Sequence, residues 1–350
     1  MRNICMQNNH IIGGEFDVDI QGFRHTKSNN GVLEGVYKYS SGRSALYYIL
    51  LDVQKRYGIA TVYLPDYLCS SVVIAAHKSQ MEVVFYNLND RLEIDAERFP
   101  MESEAKVAVL LINYFGLKNL EQQIAFVRSL SKNTIIIEDD VQAFYEFQKK
   151  ELMADYKFTS LRKTFACPDG GLVKTYNELA IVADGNKFHQ YKFAGSILKS
   201  LRKPEYYDDD VYLHLFEKGE SHIDDEIVMG MSQMSQEIIV KNNFECIAYI
   251  RRRNAKQILE GLKSLGVRTV VPVPEEKTPL FIPVWLDDRN KVRKQMFQQQ
   301  IFCPVHWPLE GMNVQKGVEM AEHEMSIIID QRYTNKDMDF ILNILEIALK

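Results

Sequence analysis

The chain has 350 residues, of which 46% are hydrophobic and 11% aromatic, and its 42 basic and 47 acidic residues give a net charge of −5. This composition is typical of a globular protein and excludes an intrinsically disordered one. The length predicts about two domains with a substantial buried core. Because the basic residues are scattered and form no cationic stripe, we expect no nucleic acid as a partner.

The cysteines and the apolar segments indicate where the protein resides. The five cysteines are widely spaced and include no CxxC pair, which favours neither a disulfide framework nor a metal site. The N-terminal segment lacks an apolar stretch of signal-peptide length, and no apolar run approaches the length that spans a bilayer. We therefore predict a cytoplasmic protein without a metal or a membrane partner.

The first half of the chain alternates between β-type and helical patterns. Apolar residues recur with helical spacing from Ala45 to Val53, after the Ser/Gly loop 40–44. Further along, β-type runs at residues 60–66, 81–89, 106–116 and 133–140 alternate with helical patterns at residues 70–80 and 119–132. This alternation predicts an α/β fold of right-handed βαβ units with a mainly parallel sheet.

The second half combines a hairpin, helices and a smaller set of strands. Residues 156–176 read as two short strands around a Gly170–Gly171 turn, which predicts an antiparallel edge on the sheet. A helical stretch at 185–235 precedes a long helical pattern that Gly266 closes and that we expect to bridge two domains. We predict a large domain at residues 1–235 and a smaller C-terminal α+β domain at residues 236–350.

Polar side chains stand at the ends of predicted strands, where open α/β sheets bind their ligands. The loop 40–44 opens a helix, so its free N–H groups, a serine hydroxyl and the helix dipole can hold a phosphate, with Arg43 adding charge. The alternative for this loop is an ordinary helix cap.

Asp139 and Lys163 are the strongest candidates for chemistry. Asp139 follows three isoleucines, and a carboxylate at the end of a buried strand needs a cationic or hydrogen-bonding partner, such as a protonated ring nitrogen of a cofactor. The alternative for Asp139 is a helix cap. A lysine in a pocket can lose its proton and attack an aldehyde, whereas most loop lysines are merely solvated.

Together these segments resemble the DegT/DnrJ/EryC1/StrS family of aminotransferases over most of the chain. Residues 41–46 are similar to its S-G-T-x-A-L element, and residues 163–171 match its K-x5-[ED]-G-G element at full spacing. Its elements H-L-[YF]-G, E-D-x-A-[QH]-A and H-Y-x-P-L are similar, in that order, to residues 113–116, 138–143 and 306–309. Arg251–Arg253 fall where the family has paired arginines. The resemblance implies the aspartate aminotransferase fold, also called fold type I, with a sheet of the seven-stranded type.

The resemblance also implies site residues for pyridoxal 5'-phosphate. Lys163 would form the Schiff base, Asp139 would pair with the pyridinium nitrogen, and Gln142 would lie near the phenolic oxygen. Further cofactor contacts would come from Ser41, Gly42, Arg43, Ser160, Asn113 and either Tyr67 or its neighbour Leu68. His306 and Arg332 are candidates for binding a substrate carboxylate or hydroxyl.

The chain departs from the family pattern at four places. Gly230–Met234 stands in place of G-x-N-x-R, whose Asn reaches the partner subunit's cofactor phosphate. Asn113 replaces the usual His, Arg43 replaces a small hydroxyl residue, and Phe158 replaces the serine five residues before the lysine. These departures leave the pyridoxal chemistry in place and leave open whether the substrate is the nucleotide-linked keto sugar of the family.

The resulting prediction is a homodimeric pyridoxal-phosphate aminotransferase. An amino acid such as glutamate would donate the amino group, and a keto sugar or related carbonyl compound would accept it. Two alternatives stay open. One is another pyridoxal enzyme of the same fold that acts on an amino acid or an acylated amine. The other is a family member that has lost catalysis and serves as a binding or regulatory protein.

Overall fold

A computed structural model describes residues 11–18, 29–100, 106–201, 209–223, 225–307 and 314–350. The strands are β1 (Ile12–Gly13), β2 (Tyr37–Tyr39), β3 (Thr61–Pro65), β4 (Glu82–Tyr86), β5 (Ala108–Ile112), β6 (Ile135–Asp139), β7 (Tyr156–Ser160), β8 (Gly171–Thr175), β9 (Phe281–Trp285), β10 (Ile301–Phe302) and β11 (Glu324–Ile328). The helices are α1 (Gly42–Tyr57), α2 (Ser70–Lys78), α3 (Glu121–Leu130), α4 (Phe144–Phe147), α5 (Phe188–Ser200), α6 (Asp209–His222), α7 (Gln233–Ile239), α8 (Phe244–Leu265), α9 (Arg289–Gln298), α10 (Gln315–His323) and α11 (Asn335–Leu349). The predicted alternation of strands and helices in the first half is confirmed.

The main sheet contains seven strands in the order β2-β8-β7-β6-β5-β3-β4. Strands β3 to β7 pair in parallel, whereas β8 runs antiparallel to both of its neighbours. The hairpin of β7 and β8 is therefore confirmed, but the predicted antiparallel edge is wrong. β8 lies inside the sheet because β2, whose three residues are too few to predict a strand, pairs with its other side and runs parallel to the remaining strands.

Predicted site residues lie at the carboxyl ends of the buried strands β5 and β6. Both are buried along their whole length, as their continuous apolar sequences require for a parallel sheet covered on two faces. The register pairs Ile112 with Asp139, and Asp139 with Phe158 of β7. The carboxyl ends of three adjacent strands consequently meet at one edge of the sheet.

A second hydrophobic core lies in the C-terminal half. It contains residues of α8, α9 and α11 and of two small sheets, β9 with antiparallel β11 and β1 with parallel β10. The long helix α8 ends at Gly266, whose φ of 70° is the left-handed conformation that glycine adopts readily. Ile12 of β1 packs in this core, so the beginning of the chain associates with the C-terminal half. The domain boundary near residue 235 stays a prediction.

The described residues form neither a membrane-spanning helix nor a cluster of metal ligands. Within the described ranges, no helix combines the length and the apolar character needed to cross a bilayer. In the same ranges, no group of three or more His, Cys, Asp or Glu side chains is arranged to hold a metal ion.

Candidate active site

A cavity of about 260 Å³ opens at the carboxyl ends of β5, β6 and β7. The α1 N-terminus, α6 and the loop after β10 complete its walls. The following sequence-predicted residues line it: Ser41, Gly42, Arg43, Asp139, Gln142, Ser160, Lys163 and His306. Residues up to 265 positions apart in sequence thus line one cavity. Most of them belong to the sequence motifs that predicted a common site.

The loop 40–44 places the start of α1 against the cavity. Ser41 caps the helix, because its Oγ accepts a hydrogen bond from the Ser44 N–H at 3.1 Å. Gly171 of β8 lies so close that a Cβ there would stand 2.1 Å from the Ser41 carbonyl oxygen. A Cβ on Gly42 would approach Ser160 Cβ to 3.2 Å. Glycines therefore bring a 16-residue helix to the cavity with N–H groups of its first turn available to an anion.

Asp139 presents a buried carboxylate at the end of β6. Its Oδ1 accepts a hydrogen bond from the Val141 N–H at 2.9 Å, and within the described part of the chain no cation forms an ion pair with it. Burial raises the pKa of Asp139 to about 7, and the Val141 hydrogen bond opposes that shift only in part. A cationic group in the cavity would find in Asp139 an acceptor that no described side chain neutralises.

Gln142 is fixed by the turn at residues 114–116. Its Oε1 accepts from the Phe115 N–H at 2.8 Å, and Phe115 adopts a φ of 59°. Gly116, with a φ of 74°, is needed because a Cβ there would stand 2.8 Å from the Gln142 carbonyl oxygen. The amide oxygen of Gln142 is thus engaged, and its amide nitrogen is the group that can donate to a ligand in the cavity.

Lys163 ends the short 3₁₀ turn Leu161–Lys163 directly after β7. Its neighbour Arg162 also lines the cavity and donates from Nη2 to Glu220 Oε2 at 2.8 Å. Glu220 accepts from Lys192 Nζ at 2.7 Å as well. Burial by itself would raise the pKa of Glu220, but the Arg162 and Lys192 cations outweigh it and hold that pKa below its ordinary value. Glu220 is consequently a fixed negative charge on the cavity wall.

Sequence reasoning missed Glu220 and Ile223, which reach the cavity from α6 and the residues just after it. They lie in a helical stretch with charges throughout, so no pattern distinguishes them. Trp307 also lines the cavity and could have been singled out, because it follows His306 directly.

Three predicted site residues do not line the cavity. Tyr67 is buried behind it, where its hydroxyl donates to the His306 carbonyl oxygen at 2.8 Å, and Leu68 does not line it either. Asn113 donates from Nδ2 to Asp140 Oδ1 at 3.1 Å, below the sheet edge. Arg332 pairs with Asp330 at 2.8 Å. Each of these residues thus contacts another part of the chain, and its role in binding a cofactor or substrate stays a prediction.

The altered segment Gly230–Met234 also makes contacts within its own chain. Ser232 caps α7, and its Oγ donates to Asp169 Oδ1 at 2.7 Å. Asp169, the acidic residue of the K-x5-[ED]-G-G element, also accepts from Asn186 Nδ2 at 2.6 Å. Phe158 lines the cavity. Pro308 and Leu309 of the last motif lie outside the described residues.

Comparisons with known proteins address the fold. No protein-family model matches the sequence, and no curated protein matches it either. The solved structure of Spr1654 from Streptococcus pneumoniae, provisionally described as a sugar aminotransferase and solved in a PMP form, is similar with a TM-score of 0.69 and 13% identity, covering 97% of this chain and 98% of that one. The aminotransferase TlmJ from Streptoalloteichus hindustanus has a TM-score of 0.67 and 14% identity, covering 97% and 99%.

A DegT DnrJ EryC1 StrS aminotransferase from Brucella abortus, a member of the family that the motifs resemble, has a TM-score of 0.58 and 16% identity, covering 89% of this chain and 84% of that one. Identities this low speak to the fold alone. The predicted fold is therefore confirmed: the chain has the mixed α/β fold of the type I pyridoxal-phosphate aminotransferases.

Proposed function

We propose that the protein is a pyridoxal-phosphate-dependent aminotransferase. It would transfer the amino group of an amino acid, with glutamate as the first candidate, to a keto sugar or related carbonyl compound. One observation carries the proposal: a single cavity is lined by Lys163, by the N-terminus of α1 and by Asp139, whose carboxylate has no counterion among the described residues. The fold that the chain shares with solved aminotransferases, one of them provisionally described as a sugar aminotransferase, supports this assignment.

The residues in the cavity fit pyridoxal phosphate in three respects. The first turn of α1, with Ser41, Gly42 and Arg43, supplies N–H groups and positive charge for a phosphate. Asp139 supplies the anion that a protonated ring nitrogen needs. Gln142 supplies an amide N–H donor for a ring oxygen.

Bound pyridoxal phosphate supplies an electron sink that makes the Cα–H bond of an amino acid acidic. Asp139 would keep the ring nitrogen protonated, because a cation beside it would offset the burial that disfavours the charged carboxylate. Lys163 would hold the cofactor aldehyde through its amine, and its Nζ would take up and return the Cα proton of the substrate. His306 lies across the cavity and can bind a polar group of the substrate.

The remaining predictions rest on the resemblance. We propose a homodimer, as the family pattern suggests, that works in the cytoplasm, where widely spaced cysteines fit a reducing environment. The predicted cofactor contacts of Tyr67 and Asn113 and the substrate contact of Arg332 receive no support from the geometry, whereas that of His306 does.

A visible absorption spectrum of the purified protein with added pyridoxal phosphate tests the proposal. We expect an absorption band that glutamate converts to a shorter wavelength, and we expect Lys163→Ala to abolish both the band and the conversion. Lys187→Ala is the control, because Lys187 is exposed and does not line the cavity. A band that survives Lys163→Ala, or that never forms, would refute the enzyme reading and favour a binding protein. A band that glutamate leaves unchanged would point to another donor.

A further inference from the structure

His306 is held at the cavity by two residues of β11. Its Nδ1 lies 2.9 Å from Ser326 Oγ, and Ser326 Oγ donates to Glu324 Oε1 at 2.6 Å. The other carboxylate oxygen, Glu324 Oε2, accepts from the His306 backbone N–H at 2.7 Å. Both the ring and the backbone of His306 are thus tied to the same pair of side chains.

The alternation of a β-strand explains why these two residues act together. Glu324 and Ser326 are two positions apart, so their side chains point to the same face of β11. Neither has any exposed surface, and the other residues of the strand are Met325, Ile327 and Ile328. Polar groups this deeply buried are costly unless they are fully hydrogen-bonded. A polar pair in an otherwise apolar strand therefore indicates a task beyond packing.

The direction of the hydrogen bonds fixes the hydrogen of the imidazole ring. A carboxylate only accepts hydrogen bonds, so the Ser326 hydroxyl must donate to Glu324. The Ser326 oxygen is then the acceptor for an N–H on Nδ1 of His306. In the neutral ring, the second nitrogen, Nε2, carries no hydrogen and is an acceptor on a side chain that lines the cavity.

We propose that Glu324 and Ser326 are positioning residues that present Nε2 of His306 as a hydrogen-bond acceptor for a hydroxyl or N–H group of the bound substrate. The identity of that substrate rests on the proposed function, whereas the arrangement of the three side chains does not. His306 would then accept a hydrogen bond from the substrate, whereas the N–H groups at the start of α1 donate hydrogen bonds to an anion. A ligand of this cavity must therefore carry both a donor and an anionic acceptor.

Two-bond proton–nitrogen correlation spectra of the full chain, labelled with ¹⁵N and recorded without added cofactor, test the arrangement directly. The signals of His306 are those that disappear in His306→Gln. We expect the pattern of the Nδ1–H tautomer in the wild type and averaging between the two tautomers in Ser326→Ala. Ser326→Thr, which keeps the hydroxyl, should restore the wild-type pattern. Ser79→Ala is the matched control, because Ser79 is also buried but donates to Ala76 far from the cavity.

A kinetic measurement tests the consequence. With pyridoxal phosphate bound, the rate at which glutamate converts the absorption band should fall roughly three- to tenfold in Ser326→Ala, the loss expected for one hydrogen bond. The band itself should form normally, and Ser326→Thr should recover the rate. A wild-type Nε2–H tautomer, an unchanged spectrum in Ser326→Ala or an unchanged rate would overturn the proposal. If no band forms in any variant, the proposed function fails, while the tautomer spectra still decide whether Ser326 positions His306.

Discussion

The Asp139 carboxylate makes the stability of the cofactor-free protein depend on pH. Burial raises its pKa to about 7 from the ordinary 3.8, so between these values the folded chain holds a proton that the unfolded chain has released. The free energy of unfolding therefore falls as pH rises through this range. Asp139→Asn keeps the shape and the Val141 hydrogen bond but removes the ionisation. We expect it to stabilise the cofactor-free protein by up to about 4 kcal/mol above pH 7.

Urea unfolding at pH 5 and pH 8 measures this effect. The increase in the free energy of unfolding caused by Asp139→Asn should be about 2 kcal/mol larger at pH 8 than at pH 5. The reason is that the raised pKa of Asp139 destabilises the folded wild type more at pH 8 than at pH 5. Asp287→Asn is the control, since Asp287 is exposed and should show little change at either pH. Added pyridoxal phosphate should stabilise the wild type more than the variant. An equal gain at both pH values would mean that Asp139 does not hold its proton in the folded chain.

The residues of the site were predictable where a motif combines with the end of a strand. Asp139 follows three isoleucines, and Lys163 stands between two short strands, so their place at the sheet edge follows from local sequence. Tyr67, Asn113 and Arg332 failed to reach the cavity because the sequence does not give the direction of a side chain in a loop. Glu220 was not predictable, because its place depends on how a charged helix packs on a distant turn.

At the scale of elements, the backbones of β8 and of the start of α1 lie very close to each other near the site. Gly171→Ala would place a Cβ 2.1 Å from the backbone oxygen of Ser41. The clash can be relieved only if β8 or the N-cap of α1 moves away from the other. We expect a loss of at least about 2 kcal/mol in the free energy of unfolding and weaker binding of pyridoxal phosphate, because the first turn of α1 shifts.

Gly31→Ala is the matched control for this substitution. Its nearest non-neighbouring atom would be 3.8 Å from the new Cβ, so the free energy of unfolding should change by less than about 0.5 kcal/mol. Urea unfolding of both variants, followed by titration with pyridoxal phosphate, measures the two effects. Unchanged cofactor binding in Gly171→Ala would show that the packing of β8 does not set the position of the phosphate loop.

Elements with an apolar period or a clear β-type run were predicted, including the five-residue strands β3 to β8, whereas β2 and β11 were not. α1, α3 and α8 follow their apolar spacing closely, and Gly266 ends α8 as expected. β2 has three residues, too few for an alternating pattern. β11 was missed although Glu324 and Ser326 alternate with apolar residues, and the hydrogen bonds of these two side chains with His306 and with each other explain why they are buried. The positions of β2 and β11 depend on tertiary pairing that local sequence does not encode.

At the scale of the whole molecule, one buried arginine of α8 joins the C-terminal half to the candidate site. Arg251, 1% exposed, donates from Nη1 to the Leu280 carbonyl at 3.1 Å and from Nη2 to the Thr164 carbonyl at 3.4 Å. Its Nε donates to Gln331 Oε1 at 2.9 Å, and Gln331 donates in turn to Thr164. Thr164 follows Lys163 directly, so the helix holds the lysine-bearing turn through this network.

Arg251→Leu should therefore loosen the site as well as the fold. Leucine fills much of the volume but removes the hydrogen bonds that Arg251 donates to the oxygens of Leu280, Thr164 and Gln331, which should lower the free energy of unfolding by about 3 kcal/mol. The turn that carries Lys163 keeps the Gln331 hydrogen bond to Thr164 but loses the one from Arg251, so the absorption band with pyridoxal phosphate should form more slowly or at higher cofactor concentration. Arg252→Leu is the neighbouring control, because Arg252 is exposed and, among the described residues, donates a hydrogen bond only to the Thr278 hydroxyl. Urea unfolding and cofactor titration of both variants separate the effect on stability from the effect on cofactor binding. If Arg251→Leu is destabilised but binds the cofactor like the wild type, α8 supports the fold without positioning Lys163.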